Sequence, residues 1–594
     1  MPAPEWENRW PKRLEWELQA LRDAGIEFEV DARAWDAGEL RLNLHLNIDG
    51  KRVPAVATYP EFFPDFRPRV ESESLGLTHH QNPFTGELCL LGRASDQWNP
   101  KRTLAYLLTE MLPQAVAAGA PTDTLSVRTD VEDVQAEPFS AYSGCIPGSA
   151  VLVDSTWAIP DDVTAGSLLL GLPPGLGIPE ATFEEGKSFP ILRSAVLEVR
   201  NSSGRVLATC DPALRQLYPR TLTERWVRRT EPLRDPSPSR AFQEVSAKLL
   251  PLHQRQWETC EVASGTIRVL GILFPEETGH RETGSGWVFA VERVQLGRSR
   301  KNRGKKQRVQ KIERAHAFYA RAIYAGRADL MLRIPTLAPL AKHTVAVFGL
   351  GSLGAPAAIE LARGGLGELR ILDRDYVEAG PIVRWPLGLQ VVGDGKAEAV
   401  AGFIRNHYPY TVVRHWNHHI GVPHSEPPSD GQVFEEMLAG TSLVLDATAE
   451  FDIQRLLSRT ALERRIPYVA VVAKPGSWGG MVFRQLPGRA CWHCLLQAQD
   501  DGRVPHPPAS SESGPQARGC SDVTFTGTGF DMATLSLDAV RSVVGTLSGP
   551  DGGYPVGAWN VAIISFREDD GSVIPPKWDV FQLERDPACA VCGS

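Results

Sequence analysis

Between Thr344 and Lys396 the chain can fold in few ways. An apolar run, Val345-Ala346-Val347-Phe348, leads into Gly349-Leu350-Gly351-Ser352-Leu353-Gly354 and then into a helix-compatible segment. A second apolar run, Leu369 to Leu372, ends in Asp373-Arg374-Asp375. Strand, glycine turn, helix and strand make a βαβ unit whose parts suit a nucleotide. The glycines give a tight turn and close backbone approach, the helix N-terminus faces phosphate, and an acid about twenty residues on meets ribose hydroxyls. Strands at Ser442 to Leu445 and Tyr468 to Val472, with a helix pattern between them, predict that a parallel sheet continues. An α/β, Rossmann-like domain over residues 326–594 follows.

A chain of 594 residues is too long for one core. In residues 1–140, Leu14, Leu18 and Leu21 share a helix face. Strand-like runs follow at Ile26 to Val30, Leu40 to Ile48 and Val53 to Thr58, then a proline-punctuated loop, Cys89, and a closing helix from Thr103 to Leu112. That order describes an α+β domain. Residues 141–325 read as a mixed, β-rich linker domain, with strands at Ala150 to Asp154, Ala195 to Val199, Thr266 to Phe274 and Trp287 to Val291. The basic run from Arg298 to Arg308 reads as a solvated loop, and Cys145, Cys210 and Cys260 as inert thiols.

The net charge of -8 argues against a nucleic-acid coat or a basic membrane-surface protein. No apolar run approaches a membrane span and the N-terminus lacks an apolar signal core, so a cytoplasmic location is expected. In that setting the nine cysteines read as metal ligands or nucleophiles before disulfides. Cys491-x-x-Cys494 and Cys589-x-x-Cys592 form two knuckles, the pattern of a tetrahedral Zn2+ site, with a redox dithiol as rival. Cys520 follows Arg518 at the end of a Pro/Ser/Gly-rich loop, Gln497 to Gly519, that is expected to be mobile. Such a place suits a nucleophile that approaches an intermediate and withdraws. Asp373, Asp375, Arg384, Lys396 and Asp446 follow the glycine turn. The acids suit ribose or Mg2+, and the cations suit triphosphate charge as pyrophosphate leaves. Cys89 sits among leucines with no basic neighbour, which suits an acyl acceptor, and Asn82 is placed to donate to an oxyanion. A plain turn residue is the alternative reading of Asn82.

The third region resembles the ThiF superfamily, the adenylating core of ubiquitin-activating (E1-type) and sulfur-carrier-activating enzymes. Gly349, Gly351, Gly354, Asp373, Asp375, Arg384, Lys396, Asp446, the zinc knuckles and Cys520 carry the likeness over about 270 residues. Two positions depart from the family: Pro381 stands for an asparagine, and Ala449-Glu450 for an Asp-Asn pair, leaving Asp446, Glu450 and Asp452 as candidate Mg2+ ligands. An arginine ahead of the core, Arg327 or Arg333, is a candidate to reach ATP. The first region resembles a ubiquitin-conjugating (UBC, E2-type) domain. The carriers are Phe63 to Val70, His80-Gln81-Asn82 (glutamine where that family has proline), Cys89 and Trp98-Asn99-Pro100.

Both modules on one chain are similar to the bacterial E1–E2 fusion proteins of CBASS antiphage operons. The resemblance implies ATP, Mg2+ and Zn2+ as cofactors and a homodimer, with the C-terminus of a cGAS-like nucleotidyltransferase as the activated partner. It implies thioester capture on Cys520, transfer to Cys89 and conjugation to a target protein amine, with no membrane and no specific nucleic acid involved. A sulfur-carrier-protein adenylyltransferase with an accessory binding domain is the alternative, and a non-catalytic nucleotide-binding scaffold a second.

Overall fold

The computed structural model describes residues 5–77, 80–82, 85–91, 98–119, 145–174, 180–182, 188–231, 233, 237–240, 260–262, 265–279, 282–296, 312–423, 426–512, 514, 525–549 and 552–593. The chain divides into two compact units, Met1–Gly326 and Arg327–Ser594.

Among the described residues the first unit holds three sheets, the smallest a two-stranded pair of Glu180–Thr182 with Ser188–Pro190. Helix α1 (Pro11–Asp23) starts on proline and buries Leu21, with Leu14 and Leu18 alongside. Strands β1 (Glu27–Val30), β2 (Arg41–Ile48), β3 (Lys51–Thr58) and β4 (Arg69–Glu71) form an antiparallel meander in that order. Alternate leucines of β2, Leu42, Leu44 and Leu46, face the core. Thr103 caps the closing helical stretch by accepting from the Tyr106 N–H at 3.3 Å. The stretch passes through a π-helical turn, Leu107–Met111, before Leu112–Gly119.

The linker sheet is closed. Its strands are β5 (Cys145–Val153), β6 (Ala165–Leu172), β7 (Arg193–Asn201), β8 (Val206–Thr209), β9 (Arg220–Arg228), β10 (Gly265–Gly279), β11 (Glu282–Leu296) and β12 (Ile312–Tyr324), with the short strand Cys260–Val262 paired to the start of β10. Pairing runs β7-β5-β12-β11-β10-β9-β6 and returns from β6 to β7, so the ring is a barrel, with β8 following β5 along the same edge of β7. Residues at period two, such as Leu168 and Leu170, Ile267 and Val269, and Trp287, Phe289 and Val291, fill its interior. Five of its strands, β6, β8, β9, β12 and Cys260–Val262, lie where the sequence suggests none. The basic run 298–308 lies outside the described residues.

In the second unit one sheet is ordered β15-β14-β13-β16-β17-β18-β19-β20. These are Val412–Asn417 (β15), Glu368–Asp373 (β14), Thr344–Phe348 (β13), Leu443–Asp446 (β16), Tyr468–Ala473 (β17), Gly479–Gln485 (β18), Val561–Arg567 (β19) and Val573–Phe581 (β20). The first five are parallel. The last three are antiparallel, so the sheet is mixed rather than a simple continuation of the parallel one. Helices α2 (Gly354–Arg363), α3 (Lys396–His407), α4 (Asp430–Leu438), α5 (Phe451–Arg464), α6 (Trp492–Asp500) and α7 (Gly529–Ser548) cover its faces. One core lies beneath α2, α3 and α7, the other beneath α4, α5 and α6. Strand order reverses at β13, which feeds β14 on one side and lies beside β16 on the other. In open α/β sheets the crevice at such a reversal, beyond the strand C-termini, is where ligands sit.

Candidate functional site

The glycine turn occupies that crevice. Gly349 has φ +83°, and a Cβ there would lie 2.7 Å from Thr448 Cα, against the end of β16. A Cβ on Gly354 would meet the Gly349 carbonyl oxygen at 1.9 Å. Gly351 has nothing within 4 Å, so its backbone is the face left open to a ligand, one turn before the N-terminus of α2.

Asp373, at the end of β14, is almost fully buried. Its Oδ2 accepts from the Leu350 N–H at 2.5 Å and its Oδ1 from the Asp375 N–H at 2.8 Å. The carboxylate therefore holds the turn from beneath. Burial pushes its pKa up, while Lys396 and the two N–H donors oppose this. Asp375 is more open. Burial raises its pKa too, but the Lys396 ammonium at 2.7 Å and Arg374 at 3.6 Å together hold it below the usual carboxylate range. Lys396 opens α3, where its own N–H donates to the Asp375 carbonyl at 2.9 Å. Trp385, unremarked in the sequence, donates its indole N–H to the Leu350 carbonyl at 2.7 Å. Arg384 lies 5.5 Å from the Phe525 ring centre, and burial lowers its pKa.

Asp446 lies behind the turn rather than in the cleft. It is fully buried, and its Oδ1 accepts from the Thr448 N–H at 3.0 Å and hydroxyl at 2.8 Å. Its Oδ2 accepts from Tyr468 Oη at 2.8 Å, and burial pushes its pKa up. The acid that does face the cleft from β16 is Glu450. It follows Ala449 at φ +55°, and its carboxylate meets Arg374 Nη2 at 2.7 Å. Arg374 Nη1 is also 2.8 Å from His419 Nε2. Asp452 is turned outward to Arg455. A pocket of about 80 Å³ is lined here by Gly349, Asp373, Asp375, His418, Thr448 and Glu450 among others. Glu450 and Asp375 supply hard carboxylate oxygens that already attract cations, the donor chemistry that Mg2+ accepts. Arg327 does not join this cleft: it donates to the Tyr410 carbonyl at the opposite, N-terminal edge of the sheet.

The four knuckle cysteines converge. Their sulfurs all lie within 4.8 Å of one another, with Cys491–Cys494 at 3.9 Å, Cys491–Cys589 at 3.7 Å and Cys494–Cys592 at 3.4 Å. Zn–S bonds of about 2.3 Å at tetrahedral angles put sulfurs about 3.8 Å apart, so the set fits zinc. It joins the start of α6 to the segment 587–592. Residues 497–500 form the last turn of α6 rather than loop, and the described part beyond is anchored, with the Ser510 N–H on the Pro475 carbonyl at 2.9 Å and Val504 buried. Cys520 lies outside the described residues.

In the first unit, Gln81 and Leu88 form an antiparallel bridge. The Asn82 N–H donates to the Glu87 carbonyl at 2.8 Å and the Cys89 N–H to the His80 carbonyl at 2.7 Å, so Asn82 and Cys89 are separated by a single residue pair. Gln81 braces this loop where a proline would stiffen it. Its Oε1 accepts from the Leu77 N–H at 2.7 Å and its Nε2 donates to the Ser72 carbonyl at 2.5 Å. Asn82 Oδ1 accepts from the Thr85 N–H at 3.2 Å, the contact of a turn residue. Trp98 Nε1 donates to the Pro64 carbonyl at 2.7 Å. No helix among the described residues is long and apolar enough to cross a membrane.

Residues 329–560 match the model of the ThiF family. Over nearly its whole length the chain is similar to "Uncharacterized protein y4qC" of Sinorhizobium fredii: 31% identical, covering 96% of this chain and 95% of that one. It is 32% identical to the SAMP-activating enzyme E1 of Haloferax volcanii across 35% of this chain and 72% of that protein. It is 29% identical to the sulfur carrier protein ThiS adenylyltransferase of Bacillus subtilis across 27% and 45% respectively. Residues 329–560 are thus a ThiF-family, E1-like adenylyltransferase domain, and the chain as a whole belongs to the same family as y4qC.

Proposed function

We propose that the chain uses ATP to activate the C-terminal carboxylate of a partner protein and passes the acyl group through Cys520 and Cys89 to a protein amine. The observation that carries this reading is the open backbone at Gly351, beside a cleft rimmed by Asp375, Lys396 and Glu450. Two relatives support the kind of partner, since one is named for activating SAMP and another for adenylating the sulfur carrier ThiS.

The triphosphate lies over the turn and the N-terminus of α2, with Asp375 toward the ribose. The carboxylate attacks the α-phosphorus, the new P–O bond forms as the α–β bridge breaks, and pyrophosphate leaves. Lys396 and Arg384 offset the charge that builds. Mg2+ carried with ATP would be held by Glu450 and would neutralise phosphate charge. Asp373 and Asp446 position: one fixes the Leu350 N–H, the other Thr448. Cys520 sulfur then attacks the acyl carbon and AMP leaves. Cys89 takes the acyl group by thioester exchange, and a target amine expels its sulfur, with Asn82 donating to the oxyanion. Zinc held by Cys491, Cys494, Cys589 and Cys592 would be structural, tying the start of α6 to the segment 587–592. The partner is the C-terminus of a cGAS-like nucleotidyltransferase, the working unit is a homodimer in the cytoplasm, and the setting is antiphage defence.

The test incubates the full chain with ATP and the candidate carrier. The reading expects thiol-labile adducts on Cys520 and Cys89, with Cys89→Ala retaining the first and losing the isopeptide. Isopeptide formed at an undiminished rate by Cys89→Ala would remove the relay. A carrier released as thiocarboxylate with sulfide present would instead support a sulfur-carrier adenylyltransferase.

A further inference from the structure

Far from the nucleotide cleft, at the other end of the 20-residue helix α7, lies a cavity of about 270 Å³. The last turn of α7 (Gly545, Thr546, Gly549), the loop 556–560, the turn after β18 and the segment 582–584 enclose it. Arg484, on β18, forms its inner wall and is 4% exposed.

This guanidinium is incompletely matched. Nη2 donates to the Gly557 carbonyl at 2.7 Å and to the Trp559 carbonyl, and the group lies 5.1 Å from the centre of the Trp559 ring. Its buried Nε–H meets no acceptor, and no carboxylate pairs with it among the described residues. An arginine cannot shed its proton at ordinary pH. A buried cation with no counter-ion is costly, which an anion in the adjoining cavity would relieve through its charge, the Nε–H itself having no surface open to the cavity. A second cation, Arg489, stands on the lining, held by Glu584 at 3.5 Å, a separation that leaves it easily recruited. Two arginines against one glutamate leave one positive charge to satisfy. The C-terminal end of α7 brings its negative dipole pole to the same space, which works against any anion and most against a doubly charged one. Thr546, Asn560 and Gln582 add neutral polar groups. The volume lies below the range usual for drug-sized ligands, about 300–1,000 Å³.

We propose that this cavity is a binding site for a compact monocarboxylate, with Arg484 as its buried anchor and Arg489 as its outer clamp. Free small carboxylates and the carboxyl end of a short peptide share that chemistry. The site stands on packing and charge alone and is independent of the ATP reading.

The test follows the melting of the full chain, in separate titrations with sodium acetate and glycylglycine, each against sodium chloride at matched ionic strength. A saturable rise above chloride is expected, weakened at least tenfold in Arg489→Gln and abolished in Arg484→Gln. Acetate alone acting points to a free carboxylate, and glycylglycine acting at lower concentration points to a peptide end. Should Arg484→Gln fail to fold, Arg489→Gln decides. Its ATP–pyrophosphate exchange should match wild type, because it lies outside the nucleotide cleft. A rise no larger than that in chloride, or one unchanged in Arg489→Gln, overturns the proposal and leaves Arg484 as a brace for the 556–560 loop.

Discussion

Asp373→Asn isolates what holds the glycine turn. In the native turn both carboxylate oxygens accept backbone N–H groups, from Leu350 at 2.5 Å and Asp375 at 2.8 Å. Hydrogen bonds to a charged group contribute about 1.5–3 kcal/mol each. Asparagine keeps one acceptor, so one N–H then confronts an NH2 group. Against that loss of roughly 3 kcal/mol stands a gain, since burial disfavours the native carboxylate's charge, as its raised pKa indicates. A net penalty of roughly 2 kcal/mol on the closed turn is about a thirtyfold weaker affinity for ATP, at 1.4 kcal/mol per tenfold. Calorimetric titration with a non-hydrolysable ATP analogue measures it, with melting recorded in parallel. Asp375→Asn is the control: its partners are half-exposed ion pairs, so binding should fall while stability changes by less than about 1 kcal/mol. A Kd for Asp373→Asn within twofold of wild type would refute the reasoning.

Gly349→Ala should lower stability by roughly 3 kcal/mol, from its left-handed φ and its overlap with Thr448, whereas Gly351→Ala should leave stability within about 0.5 kcal/mol and still abolish ATP binding. Thermal melts and nucleotide titrations on the pair check this contrast. The pKa of Asp375 is lowered in the fold, so its contribution is present above the unfolded value of about 3.9 and lost as pH falls through the folded one. The stability deficit of Asp375→Asn at neutral pH should therefore shrink below pH of about 4, and a constant deficit counts against the Lys396 pair. Purified protein should carry one zinc per chain by metal analysis, and Cys491→Ser or a strong chelator should lower the melting temperature. Zinc-free protein of unchanged stability contradicts the metal site.

The glycine turn was legible because each of its glycines answers a separate mechanical need that sequence spacing expresses. The convergence of the four knuckle cysteines was legible because ligand pairs keep a short spacing even when 98 residues separate them. What joins the turn to its supports was not. Trp385 reaches Leu350 across 35 residues and Tyr468 reaches Asp446 across 22, and an aromatic in a chain reads as core until its polar tip is seen. Asp446 carried the right signal, an acid after a strand, yet burial turned it toward Thr448 and left Glu450 facing the cleft. The barrel strands escaped notice for opposite reasons. Leu168 to Leu172 is buried on almost every residue and shows no alternation, while in Ile312–Tyr324 the polar residues Glu313, Arg314, His316 and Arg321 interrupt an apolar run without a steady period of two. Strand β18 begins with two glycines, a loop signal, although all seven of its residues are buried.

The central claim is that the turn at Gly349–Gly354 serves adenylation of a protein carboxylate. Isotope exchange between pyrophosphate and ATP, with and without the carrier, measures that step alone. The account predicts exchange that requires the carrier's free C-terminus and disappears in Gly351→Ala. No exchange with an intact carrier, or equal exchange from a carrier lacking its C-terminal residues, would contradict it.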